Sequence, residues 1–99
     1  MNIKQKRDGE KLTVFVEGRI DTNTFQGLHD FFQNELHGVK ELTLDLEKVD
    51  YISSAGLRTI LFAKKTIDAQ GGEMFVAHVN DDIMETFELT CFTDFLTII

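Results

Sequence analysis

The sequence predicts a single α/β domain, residues 1–99, built on a mixed, mostly parallel sheet of four to five strands with helices packed against it. Segments with apolar residues at period two alternate along the chain with segments at helical period. A length of 99 residues with 42% hydrophobic content and nine phenylalanines suits one core and argues against disorder. Because crossovers are right-handed, the later strands should run parallel, whereas the Asp8-Gly9 turn should pair the first two strands antiparallel.

The predicted strands are short segments with alternating or β-branched apolar residues, bounded by turn residues. They cover residues 1–6, 12–17, 41–46, 74–79 and 95–99. The predicted helices have apolar residues at helical spacing and cover residues 25–36, residues 55–69 and a segment that begins near Asn80. Gly18 is expected to end the second strand. Thr22 or Asn23 is a candidate cap for the first helix, and Gly38 and Gly71-Gly72 are candidate helix stops.

Charge and composition disfavour several classes of function. The net charge of −7 and the pI near 4.8 should repel phosphate backbones and anionic lipids, which argues against direct binding to nucleic acid or membranes. No apolar run is long enough to span a bilayer and the first residues do not resemble a signal peptide, so a cytoplasmic protein is expected. The single cysteine, Cys91, is expected to be a small core residue.

Signals for catalysis or for a bound cofactor are weak. His29, His37 and His78 fall on separate predicted elements without metal-site spacing, so they are expected to be surface or structural residues. The sequence contains no G-x-S-x-G motif, Walker A loop or dinucleotide fingerprint. We therefore expect no enzymatic activity, no metal and no cofactor.

Residues 49–58 form the most informative stretch, because a strand should end there and a helix should begin. Ser53 and Ser54 lie in the turn between them, beside backbone N–H groups that have no intrahelical partner. Such a position favours a dianion, so the turn is a candidate site of reversible phosphorylation. One serine could simply be the N-cap of the helix; the two interpretations are compatible, and the pattern alone does not decide between them.

A resemblance to a known family adds to this interpretation. The segments that carry it are DYISSAGL at residues 50–57, GGEM at 71–74, GRID at 18–21 with Thr24, LTLDL at 42–46, FEL at 87–89 and FLTII at 95–99. Together they resemble the STAS domain, the sulfate-transporter and anti-sigma-factor-antagonist family, and most closely its stand-alone bacterial antagonists. The resemblance covers nearly the whole chain and implies the STAS fold.

The resemblance also implies a function, that of an anti-sigma factor antagonist acting by partner switching. The unphosphorylated form would bind an anti-sigma factor that is also a serine kinase of the histidine-kinase-like ATPase fold, and so release the sigma factor. The kinase would phosphorylate Ser54, two positions before Gly56, and a PP2C-type phosphatase would reverse the modification. Many members carry Asp before the acceptor, where this chain has Ser53, so Ser53 is the second choice of acceptor.

The expected partner-binding surface surrounds these serines. Asp21 and Asp45 match polar positions of the family and are expected to converge with Ser54 where the strands end. On the following helix, Arg58 is either a solvated charge or a partner for acidic groups. Phe62 is expected to be exposed, either as a docking anchor or as an ordinary surface residue. The full set comprises Asp21, Thr24, Asp45, Ser53, Ser54, Gly56, Arg58 and Phe62.

Two alternatives to this function stay open at the level of sequence. One is a non-switching STAS subunit of a scaffold or lipid-transport complex, in which the serine only caps the helix. The other is a small serine-dependent hydrolase or nucleotide-binding enzyme, although a base and a phosphate loop are missing. The free chain is expected to be a monomer.

Overall fold

The computed structural model describes residues 1–99 as one five-stranded sheet with three α-helices. The strands are β1 (Asn2–Asp8), β2 (Lys11–Ile20), β3 (Glu41–Ile52), β4 (Glu73–Ala77) and β5 (Thr97–Ile98). The helices are α1 (Phe25–Glu35), α2 (Ser54–Ala69) and α3 (Asp81–Leu89), followed by a short 3₁₀ turn, Phe92–Asp94. None of the helices combines the length and the apolar content needed to cross a membrane.

The strands lie in the sheet in the order in which they occur along the chain. β1 pairs antiparallel with β2 through the turn after Asp8, and all later pairs are parallel. This confirms the predicted mixed, mostly parallel α/β sheet. Since each right-handed crossover joins neighbouring strands in the same direction, all three helices fall on one face of the sheet.

The core lies between this face and the helices. Alternate residues of the three central strands are buried there at 2% exposure or less: Leu12, Val14, Val16, Leu42, Leu44, Leu46, Met74 and Val76. The two fully buried rings, Phe32 of α1 and Phe87 of α3, belong to the same cluster. The opposite face of the sheet, which we call the open face, carries Thr13, Phe15, Thr43 and Phe75 and is partly exposed to solvent.

The two strands that lead to the serine turn are longer than predicted. Gly18 does not end β2, because a positive φ of 103° lets the chain pass a register irregularity and continue to Ile20. β3 likewise continues beyond Leu46, and its last residue, Ile52, pairs with Ile20. The extra pairing carries both strands to the same edge of the sheet.

The C-terminal segment departs further from prediction. Cys91 is exposed rather than buried, because it adopts φ 62° just after α3 and its N–H donates to the carbonyl of Glu88. The last strand is only two residues long, since the 3₁₀ turn occupies the chain before it.

The cap of α1 also differs from the prediction. It is Thr24 rather than Thr22 or Asn23, and its side chain makes no capping hydrogen bond.

Candidate functional site

The serine turn, residues 53–56, joins the end of β3 to the start of α2. Ser53 is the N-cap: its Oγ accepts the N–H of Gly56 at 3.2 Å, and its own N–H donates to the carbonyl of Ile20 at 2.8 Å. Ser54 is the first helical residue; its side chain is exposed and makes no hydrogen bond within the chain. The capping hydroxyl and the accessible hydroxyl therefore belong to different serines. Ser53 caps the helix, and Ser54 is the candidate phosphoacceptor.

Gly56 sets the position of this turn against the sheet. A Cβ at residue 56 would lie 2.7 Å from Cγ2 of Ile20, 2.9 Å from its carbonyl oxygen and 3.0 Å from Cγ2 of Ile52. The first turn of α2 thus packs directly on the ends of β2 and β3, which only glycine permits. The close packing holds Ser54 at a defined place on the edge of the sheet.

A second turn, after β2, is organised by the carboxylate of Asp21. Its Oδ1 accepts the N–H of Asn23 at 2.9 Å and that of Thr24 at 3.1 Å, and Nε of Arg19 lies 3.4 Å from Oδ2. These hydrogen bonds, the one from Asn23 first, hold the pKa of Asp21 below its usual value of 3.8. The hydroxyl of Thr24 donates to the carbonyl of Arg19 at 2.6 Å and so closes the loop.

The two turns lie side by side. Ile20 pairs with Ile52, and the next residue on each strand is Asp21 or Ser53, so an ionised carboxylate lies on the same edge as the exposed hydroxyl of Ser54. The predicted proximity of Asp21 to the serines agrees with this register.

One contact at this edge was not predicted from the sequence. Arg19 and Tyr51 are paired across the parallel strands, and the guanidinium carbon lies 4.4 Å from the centre of the tyrosine ring. The tyrosine is 43% exposed, and each residue lies two positions before a residue of the site, Asp21 or Ser53. The equal offsets agree with this pairing, but only the observed strand register places the two residues together.

Asp45 does not converge with the serine turn, so this expectation is wrong. It pairs with Phe15 and Ala77, seven positions before Ile52, which at about 3.3 Å per residue places it roughly 20 Å away along β3. The error arose because β3 was expected to end at Leu46. Asp45 instead hydrogen-bonds His78 at 2.8 Å, and this bond raises the pKa of His78 above its usual value.

The two residues of α2 that were predicted to contact a partner, Phe62 and Arg58, differ in their surroundings. Phe62 is not a free surface anchor, because it is half-buried against the core and its ring centre lies 4.4 Å from that of His29 on α1. The helical wheel missed this contact because α1 covers that side of α2. Arg58 is exposed, forms no ion pair within the chain, and follows Ser54 by one helical turn.

Comparisons with known proteins identify the family of the chain. The STAS domain family model matches residues 2–99. The chain belongs to the STAS domain family. A curated relative, the anti-sigma-B factor antagonist of Listeria monocytogenes, is 31% identical over 104 aligned residues, which cover 99% of this chain and 90% of the relative.

Solved structures show the same STAS fold. A putative anti-sigma factor antagonist from Thermotoga maritima superimposes with a TM-score of 0.89 at 19% identity, over 97% of this chain and 84% of that one. The Bacillus cell fate determinant SpoIIAA in its phosphorylated form gives a TM-score of 0.77 at 11% identity, over 99% of this chain and 91% of that one. At these identities the likeness concerns the fold alone.

Proposed function

We propose that this STAS protein is an anti-sigma factor antagonist that acts by phosphorylation-controlled partner switching, with Ser54 as the phosphoacceptor. The observation that carries the proposal is the exposed, unbonded hydroxyl of Ser54 at the first position of α2, beside the Asp21 turn. The relation to a relative named as an anti-sigma-B factor antagonist supports the class of function.

The proposed partners follow from the family resemblance. The unphosphorylated chain binds an anti-sigma factor that is also a serine kinase of the histidine-kinase-like ATPase fold, and this binding frees the sigma factor. A PP2C-type phosphatase removes the phosphoryl group and restores binding. In this mechanism the chain is a cytoplasmic substrate and binding module without catalytic activity of its own.

The choice of Ser54 over Ser53 has a physical reason. Modification of Ser53 would disturb the hydroxyl that caps α2, and this side chain is only partly accessible. Loss of an N-cap costs about 1 kcal/mol of stability. Modification of Ser54 breaks no hydrogen bond of the fold.

The electrostatics of the edge explain how a single phosphoryl group could break the complex. It adds about 1.5 to 2 negative charges at neutral pH. In the free protein, water and the N-terminus of α2 stabilise this charge, so no refolding is needed. In a complex the phosphate would be desolvated on the edge that also carries the ionised Asp21, which makes binding costly unless the partner supplies matching cations.

The surface by which the unmodified chain binds its partner would consist of Asp21, Ser54 and Arg58, extended by Arg19 and Tyr51.

The decisive experiment incubates the chain with ATP and the candidate anti-sigma factor kinase from the same genome. Intact mass and peptide mapping should detect one phosphoryl group on Ser54, and the modified chain should no longer bind the kinase. Ser54→Ala should abolish the modification. Ser53→Asp is the matched control, since Asp also caps helices but accepts no phosphoryl group, and this variant should still be modified at Ser54.

Other outcomes would contradict the proposal in different ways. Modification of Ser53 alone would preserve the mechanism but overturn the residue. Stable binding to a complex that is unaffected by Ser54→Asp, without modification, would favour a non-switching subunit. Turnover of a substrate by the isolated chain would favour an enzyme.

A further inference from the structure

A second cluster of polar side chains lies on the open face of the sheet, away from the serine turn. Asp45 and Glu47 of β3 and His78, which follows the end of β4, each place one potential ligand atom within 4.8 Å of the others. The sheet creates the cluster, because Asp45 pairs with Ala77, the residue before His78. Asp45 and His78 lie 33 positions apart in the sequence, so no short sequence motif predicted this cluster.

Asp45 is held in a fixed orientation. It is only 9% exposed, and its Oδ1 accepts the backbone N–H of Glu47 at 2.9 Å. Its Oδ2 lies 2.8 Å from Nδ1 of His78. One carboxylate oxygen is therefore oriented by the backbone while the other points to the imidazole, an arrangement that resembles the hydrogen-bonded ligands of metal sites.

An independent observation is a cavity beside this cluster. It has a volume of about 260 Å³, and Asp45 and Glu47 line it together with Lys4, Phe15, Val16, Glu17 and Lys48. The two lysines of its wall are both near Glu17, with Nζ to Oε1 distances of 3.6 and 3.7 Å. Glu17 offsets one of these two positive charges, and with the carboxylates of Asp45 and Glu47 the acidic side chains of the wall outnumber the lysines by three to two.

We infer that Asp45, Glu47 and His78 bind one divalent first-row metal ion such as Zn²⁺ or Co²⁺. The remaining coordination positions of this ion would be open to the cavity. Two carboxylates and one imidazole suit such ions, whereas Mg²⁺ and Ca²⁺ prefer oxygen ligands alone. Metal–ligand bonds of about 2.0 to 2.2 Å place neighbouring ligand atoms about 3 to 4 Å apart, which the observed cluster allows.

An ion here would connect β3 to the end of β4 through side chains. The site lies roughly 20 Å along β3 from the serine turn, so it is separate from the proposed phosphorylation surface. The alternative is that the Asp45–His78 hydrogen bond only holds these two strands together. Metal binding distinguishes the two, because a purely structural pair would not take up an ion.

The test titrates the untagged, metal-free chain with Co²⁺ and Zn²⁺, followed by visible absorption and calorimetry. One ion per chain is expected, with a Co²⁺ spectrum that Zn²⁺ displaces. His78→Gln and Glu47→Gln should each weaken binding at least about tenfold. His37→Gln removes an exposed histidine on another part of the surface and is the matched control, with unchanged affinity expected.

The folding of each variant is checked by circular dichroism without metal. Glu47 is exposed, so its substitution keeps the test valid even if His78→Gln unfolds the chain. Paramagnetic broadening of amide signals by Co²⁺ should centre on residues 45, 47 and 78. No saturable binding, equal affinity in wild type and Glu47→Gln, or broadening centred elsewhere would each overturn the inference.

Discussion

Gly56 offers the sharpest test of how the serine turn is positioned. In an open helix, replacing glycine by alanine stabilises by up to about 1 kcal/mol, because alanine has the higher helix propensity. At residue 56 the new Cβ would meet the carbonyl oxygen of Ile20 at 2.9 Å and two methyl groups at 2.7 and 3.0 Å. The carbonyl oxygen of Ile20 also accepts the N–H of Ser53 at 2.8 Å and cannot rotate away without losing this bond, so α2 must shift.

The expected cost follows from these two opposing effects. Overpacking typically costs 1–3 kcal/mol, and a contact of 2.9 Å with a fixed backbone oxygen places this substitution in the upper part of that range, at about 2–3 kcal/mol. A gain in helix propensity of up to about 1 kcal/mol is subtracted from this cost. Gly56→Ala should therefore lower the free energy of unfolding by about 1–2 kcal/mol, or the melting temperature by roughly 4–16 °C for a domain of this size. Urea and thermal unfolding measure both quantities.

Gly27 in α1 provides the matched control. A Cβ there meets only the flexible end of Met1, at 3.7 Å, so Gly27→Ala should be neutral or stabilising by up to about 1 kcal/mol. The reasoning would be refuted if Gly56→Ala were as stable as wild type, or if both substitutions had the same effect. The displaced turn should also slow the proposed phosphorylation of Ser54.

Three further predictions concern other parts of the fold. Gly72→Ala should destabilise by about 2–3 kcal/mol, because its Cβ would lie 2.5 Å from the carbonyl oxygen of Lys40; urea unfolding at wild-type values would contradict this. Asn80→Ala removes the cap of α3 and a 3.0 Å hydrogen bond to Val49, and should cost about 1–2 kcal/mol in the same assay. The carboxyl of Asp21 should titrate below 3.8 by NMR, since its folded pKa is lowered; its contribution to stability is full above the ordinary pKa and is lost as pH falls through the folded pKa. A midpoint at or above 3.8 would contradict the hydrogen-bonding account of the Asp21 turn.

The parts of the fold that the sequence predicted depend on short-range signals. The Asp8-Gly9 turn predicted the antiparallel pair, the two adjacent serines predicted a cap at the start of α2, and Asn80 predicted the cap of α3, each because the residue type suits a local backbone geometry. The parallel order followed from right-handed crossovers. The local pattern did not tell the capping serine from the exposed one, and the choice of Ser54 came from the family resemblance.

The features that sequence reasoning missed depend on long-range register. Gly18 suggested a strand end, but pairing with β3 outweighed this local preference. The contact of Arg19 with Tyr51 and that of Asp45 with His78 join residues on different strands, and only the observed pairing places them together. Cys91 adopts a left-handed conformation that glycine or asparagine usually takes, so its residue type gave no indication of the turn.

The separation of capping and accessible hydroxyls between adjacent serines has a thermodynamic consequence. Since Ser53 supplies the hydrogen bond that begins α2 and Ser54 supplies none, a phosphoryl group on Ser54 breaks no contact of the fold, and the N-terminus of α2 should raise the free energy of unfolding by about 1 kcal/mol at most. The free energy of the modification would then act mainly on association with a partner. Repeated cycles of modification and removal would leave the folded population, and so the lifetime of the protein, nearly constant.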